Sequence, residues 1–158
     1  DGFPYVSIRL FQDLLMYSYE GVKASCCWLP CCDSYMVVEH NGDCYPCDFF
    51  VYPQWKLGNI MSHSILDILG SPIRNAFSMV KQNMADECNE CSIKDFCMGD
   101  CPRYRHGSTM NARNALNKSE YCTAWKVVYE HFQRSEGELQ QRIRRLQKSL
   151  QSGSFFNT

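Results

Sequence analysis

The chain has 158 residues, 11 of them cysteine, and its 16 Lys and Arg against 17 Asp and Glu leave a net charge of −1. That length allows one domain, or one domain with attached helices, and the near-zero charge leaves no basic field for recruiting nucleic acid. No apolar run reaches the roughly 18 residues of a membrane span, and no signal-peptide pattern opens the chain.

The first residues, Asp1-Gly2-Phe3-Pro4, carry no initiator Met and read as the edge of a piece of a longer protein. Residues 7–20 repeat apolar side chains at helical period, with Ser7 placed to cap the start and Gly21 to stop the end. A thiol-rich loop, Cys26-Cys27-Trp28-Leu29-Pro30-Cys31-Cys32, follows. Residues 35–45 read as a β-hairpin around Asn41-Gly42, the dipeptide of a type I′ turn. Such a hairpin brings Cys32, before it, and Cys47, after it, back to the same side. Residues 48–60 form an aromatic extended stretch, 64–69 a short helix ended by Gly70, and 72–83 a helix started by Ser71-Pro72. Ile73, Phe77 and Val80 fall on one face of that helix. Residues 88–101 read as a second thiol-bearing loop. Ser119 is placed to cap a helix over 120–134 with Cys122 in its first turn, and Gly137 interrupts before an amphipathic helix at 138–150. The expected class is α+β: a small cysteine-rich domain with a β-hairpin, loop-borne metal clusters and flanking helices. Three segments are expected: residues 1–22, 23–135 and 136–158.

Eight cysteines carry the chemical pattern. Cys88-x2-Cys91-x5-Cys97-x3-Cys101 places four thiols within fourteen residues, with Cys26-x5-Cys32 and Cys47 upstream and Cys122 downstream. Thiolates ligate structural zinc and iron–sulfur clusters, and close spacing lets one loop supply two ligands at little closure entropy. An odd cysteine count and an ample supply of core residues argue against a disulfide framework. Spacing alone leaves two zinc sites and two iron–sulfur sites both open, with the cluster reading ahead because a cubane tolerates more varied spacing. His40, His63, His106 and His131 show no ligand spacing.

The order Cys-x5-Cys, hairpin, Gly-x4-Cys, Cys-x2-Cys-x5-Cys-x3-Cys and a distal Cys resembles the SPASM domain. This is the C-terminal auxiliary-cluster domain of radical S-adenosylmethionine enzymes that modify peptides and proteins. The segment Gly42-Asp43-Cys44-Tyr45-Pro46-Cys47-Asp48-Phe49-Phe50-Val51, followed by Trp55-Lys56-Leu57-Gly58-Asn59-Ile60, is similar to the anaerobic sulfatase-maturating enzymes within that group.

The resemblance implies two 4Fe-4S clusters with interlaced ligands. Cys26, Cys32, Cys47 and Cys101 would hold the first, and Cys88, Cys91, Cys97 and Cys122 the second. The doubled thiols Cys26-Cys27 and Cys31-Cys32 leave a choice of ligand within each pair, and Cys44 is spare. The gap to Cys122 is long for the family, which an insertion at 105–118 would absorb. Full thiolate ligation implies electron transfer or a structural role. The resemblance also implies Asp48 as the group that accepts a proton from a substrate Cys or Ser during oxidation to formylglycine. The partners implied are a sulfatase or other peptide substrate and a reduced electron carrier such as flavodoxin or ferredoxin, in the cytoplasm, with no nucleic acid and no membrane.

The Cys-x3-Cys-x2-Cys motif that holds the radical-generating cluster is missing. Cys27-x3-Cys31 would need a cysteine at Ser34, and Cys97-x3-Cys101 one at Tyr104. S-adenosylmethionine and a third 4Fe-4S cluster thus belong to a catalytic domain outside this sequence, and the chain alone is expected to be inactive. Two other readings remain: a non-catalytic zinc- or cluster-binding interaction module, and the SPASM domain of a ribosomal-peptide-modifying enzyme.

Overall fold

A computed structural model describes residue 6, residues 8–105 and residues 118–151. The chain divides into two compact units, residues 1–22 with 123–158 and residues 23–122.

In the first unit, helix α1 spans Arg9–Glu20 and stops at Gly21, which takes the left-handed φ of 68° and donates its N–H to Tyr17 O, while Val22 N–H donates to Met16 O. Ile8 occupies the cap position; Ser7, the residue expected there, lies outside the described residues. Helix α5, Cys122–Gln151, supplies the rest. The expected break at Gly137 does not occur. A glycine inside a helix costs only about 1 kcal/mol against alanine, and thirty continuous residues absorb it. Apolar residues of α1 and α5, including Phe11, Leu15, Val128 and Phe132, line a groove of about 540 Å³, and Ser18 hydrogen-bonds Glu136.

The second unit is built on a small antiparallel sheet of order β1-β2-β3, with β1 at Val37–Val38, β2 at Asp43–Tyr45 and β3 at Gly58–Asn59. Val37 faces Tyr45 and Cys44 faces Gly58. The hairpin forms where expected, but its turn differs. Gly42 donates to Glu39 O, Glu39 donates to Asp43 O, and only Gly42 has positive φ, at 86°. That is a type I turn closed by a glycine bulge, since Asn41 keeps negative φ and type I′ would need both residues left-handed. Asn59 braces the turn by donating to Asn41 O and to the Asp43 carboxylate, at 3.0 and 2.8 Å.

Helix α2, Ile65–Leu69, opens with a capping box in which Ser64 and Asp67 satisfy each other's backbone N–H. Helix α3, Pro72–Ser78, has Pro at its start and the Ser71 hydroxyl accepting from Ile73 N–H; a 3-10 turn at Met79–Gln82 continues it. Its apolar face fills the core. Phe77 meets Phe50 and Trp55 edge-on, with centroids at 5.2 and 5.0 Å, and Val80 completes the cluster. Cys32 and Cys47 pack directly on it. A second cluster, Cys44, Leu57 and Ile68, lies behind the sheet and accounts for the spare thiol Cys44 as core. The architecture is therefore α+β and cysteine-rich. No helix among the described residues is long and apolar enough to cross a membrane.

Candidate metal centre

Four of the expected ligands, from three separate segments, reach one cavity: Cys26 and Cys32, Cys47, and Cys101. Each is held by its own local structure. Cys26 begins a 3-10 turn, Cys26–Trp28, whose Trp28 stacks on Phe96 with centroids 4.5 Å apart. Cys32 is tied to the end of α3 by its N–H to Ser78 O at 3.1 Å. Cys47 ends the β2 arm and caps the 3-10 turn Asp48–Phe50. Cys101 directs its N–H to the Asp100 carboxylate at 2.6 Å. Cys27 also lines the cavity, whereas Cys31 does not.

The other thiols gather separately. Cys88 closes the 3-10 turn Asp86–Cys88, Cys91 follows it, and Cys97 ends the single-turn helix α4, Lys94–Cys97. Cys122 starts α5. A negative charge on Cys122 or Cys91 is felt at Cys88, and one on Cys122 at Cys97, so Cys122 neighbours both Cys88 and Cys97.

Between Cys97 and Cys101 the chain reverses through three consecutive left-handed residues: Met98, Gly99 and Asp100, at φ 49°, 74° and 58°. Two of them are not glycine, and each such residue costs of order 1 kcal/mol or more. The reversal turns Cys101 toward the first cavity while Cys97 stays with the second group. It also aims the N–H groups of Gly99 and Asp100 at the Cys97 sulfur. The same device recurs at Cys47, which accepts from Phe49 N–H, and at Cys101, which accepts from Arg103 N–H. Hydrogen bonds of this kind stabilise a charged sulfur.

Burial works against that charge. It pushes the Cys32 thiol up to about 12, and both Cys47 and Cys97 up to about 11. In Cys32 the neighbouring thiols Cys101, Cys47 and Cys26 add to the rise, and the Lys81 ammonium opposes it. Desolvated thiols sharing a cavity ionise only when a cation takes the protons' place. The donor set is thiol with amide support, which suits zinc or iron–sulfur chemistry. Among the described residues no three His, Cys, Asp or Glu side chains converge on a single point as one metal ion would require.

Asp48 is exposed and does not itself line this cavity, though its neighbours Cys47 and Phe49 do. Its carboxylate accepts from the Tyr35 hydroxyl at 2.9 Å, and the Cys47 sulfur lies 3.4 Å from the same oxygen. Burial and the bond to Asp48 push the Tyr35 hydroxyl well above its usual range, so it stays a donor. Sequence reasoning missed Tyr35, Lys81 and Arg105. Lys81 and Arg105 are almost wholly buried beside the thiols; a lysine at a helix end and an arginine four residues after a cysteine carry no signal of burial. The excursion at 106–117, with His106, lies outside the described residues, but its ends are held together by a bridge between Arg105 and Ser119.

Residues 26–92 match the model of SPASM, an iron–sulfur cluster-binding domain. The span includes Cys26, Cys32, Cys47, Cys88 and Cys91 and ends before Cys97. The chain is 32% identical to the serine-type anaerobic sulfatase-maturating enzyme of Bacteroides thetaiotaomicron, over 93% of its own length and 37% of that enzyme. It is likewise 32% identical to the cysteine-type anaerobic sulfatase-maturating enzyme of Clostridium perfringens, over 80% of its length and 33% of that enzyme. Among solved structures, native anSMEcpe with bound AdoMet and a Kp18Cys peptide superposes with a TM-score of 0.71, covering 85% of this chain and 35% of that one. The chain spans about a third of the length of the curated relatives it matches.

Proposed function

Because the chain carries a SPASM iron–sulfur domain of the radical S-adenosylmethionine enzymes and is akin to the anaerobic sulfatase-maturating enzymes, we propose that it is the auxiliary-cluster portion of a maturase. Cys26, Cys32, Cys47 and Cys101 hold one 4Fe-4S cluster, and Cys88, Cys91, Cys97 and Cys122 a second. With all four irons of each cluster bound to protein, the clusters supply one-electron transfer. The parent activity is oxidation of a sulfatase Cys or Ser to formylglycine in the cytoplasm, with a flavodoxin or ferredoxin as electron carrier. The radical-generating cluster and S-adenosylmethionine belong to a catalytic domain outside this sequence.

Asp48 takes the proton from the substrate thiol or hydroxyl, and Tyr35 orients its carboxylate. The observation that supports this reading is the meeting of thiols from three separate segments at one cavity, where the lining Tyr35 hydrogen-bonds Asp48. The peptide substrate reaches Asp48 from solvent, which its exposure permits.

The test is iron and sulfide analysis with an absorption spectrum on protein purified without oxygen. About eight iron and eight sulfide per chain, with broad visible absorption bleached by dithionite, is the expected result. Zinc without sulfide would remove the electron-transfer role and leave a structural module.

A further inference from the structure

The cysteine-rich unit buries two cations. Lys81 is 1% exposed and Arg105 is 2% exposed, and the only buried carboxylate among the described residues of this unit is Asp100. An excess of buried positive charge is costly unless anions sit nearby. Neutral thiols do not meet that need.

The two cations hold different positions. The Lys81 ammonium donates to the carbonyl of Cys26 at 3.1 Å and also to that of Cys27, so it caps the 3-10 turn that carries these two cavity-lining thiols. Its charge acts on Cys32, Cys27 and Cys101, all in or beside that group. Arg105 spreads its guanidinium over four carbonyls: Gly99 at 2.9 Å, Asn83 at 2.9 Å, Lys81 at 3.0 Å and Asp100 at 3.4 Å. It thereby ties the segment between Cys97 and Cys101 to the end of the α3 region. Its charge acts on Cys88 of the second group, on Cys32 and Cys101 of the first, and on the Asp100 carboxylate, which offsets one of the two buried cations.

We propose that Lys81 and Arg105 are the built-in counter-charges of the two clusters, Lys81 serving the first alone and Arg105 standing between them and serving both. This rests on the two-cluster reading above. A cubane held by four thiolates is already anionic, and taking up an electron adds one more negative charge. A buried cation close by favours the reduced form more than the oxidised one and so raises the potential. Arg105 also screens each cluster from the charge of the other, which lets both be reduced within one protein. Lys81 and Arg105 are positioning residues for charge and touch no reacting atom.

The experiment is a potentiometric titration, followed by electron paramagnetic resonance, of the anaerobically loaded full chain and its Lys81→Gln, Arg105→Gln and Arg105→Lys variants. Lys81→Gln should lower one of the two couples, reducing its reduced-to-oxidised ratio at fixed poise about tenfold, or 59 mV for one electron. Arg105→Gln should lower both, and Arg105→Lys, which keeps the charge but loses the fork, should restore most of the shift. Variants with full iron and sulfide whose two potentials match the parent overturn the proposal, as does an Arg105→Lys shift equal to that of Arg105→Gln. If Arg105→Gln fails to take up clusters, Lys81→Gln decides alone. A shift confined to one couple sustains the assignment, and unchanged or equally shifted couples overturn it. A parent chain that holds fewer than two clusters would instead sink the two-cluster reading, before any variant is compared.

Discussion

Arg105 and Gly99 occupy space that only this pair can share. The Arg105 Nε donates to Gly99 O at 2.9 Å, and a Cβ at position 99 would lie 2.6 Å from the Arg105 Nη2 and 2.8 Å from Met84 Cγ. Gly99 also holds φ at 74°, where a side chain is strained in any surroundings.

Gly99→Ala should therefore destabilise the loaded protein by about 1–3 kcal/mol. The segment between Cys97 and Cys101 serves both thiol groups, so iron should be lost from both sites together. Thermal unfolding followed at the visible absorption band checks this; an unchanged midpoint would contradict the packing.

Of the two doubled pairs, Cys31-Cys32 separates by geometry, because Cys32 lines the first cavity and Cys31 does not, whereas Cys26 and Cys27 both line it. Cys32→Ser should halve the iron content, leaving about four of eight irons if each site holds a cubane. Cys31→Ser should leave it unchanged. Iron and sulfide assays on the two variants, prepared side by side, give the answer.

In the full-length enzyme, Asp48→Asn should slow formylglycine formation by about 100-fold or more, the usual weight of a general base, with cluster content intact. Tyr35→Phe removes a single hydrogen bond, on the order of 1 kcal/mol, and should slow it by less than about tenfold. Mass spectrometry of a substrate peptide measures both rates. Equal rates for Asp48→Asn and the parent would assign the carboxylate a structural role.

Metal uptake should weaken as pH falls. The folded thiols of Cys32, Cys47 and Cys97 are raised from their ordinary range to about 12, 11 and 11, so at neutral pH each ligand still carries a proton that the metal must displace. Affinity should rise with pH by up to about tenfold per unit for each proton released, and level off only above those values. Zinc titrations by calorimetry in two buffers of different ionisation heat would count the protons.

Phe77 is the shared wall of the aromatic core on which Cys32 and Cys47 pack. Phe77→Ala should cost about 3–5 kcal/mol and release the first cluster before the second, since that core touches ligands of the first group. Paramagnetic resonance of partially loaded protein distinguishes the two losses.

The sequence alone determined the thiol pattern, a helix ending before Gly21, another starting at Pro72, the hairpin and the family likeness, because these rest on local spacing and local stereochemistry. Gly21 stops a helix and Pro72 starts one through backbone preferences that act within a few residues. Tertiary structure decided the rest. The Asn41-Gly42 turn took a glycine bulge because Asn59, eighteen residues beyond Asn41, holds the turn from outside. The two-residue strand β3 exists only because β2 offers it a free edge. Gly137 stays helical because one weak residue cannot break a thirty-residue helix. The choice of Cys32 over Cys31 at the cavity, the burial of Lys81 and Arg105, and the meeting of Tyr35 with Asp48 all depend on segments far apart in the chain. No spacing rule encodes such meetings, since burial and charge neighbourhood are properties of the packed interior.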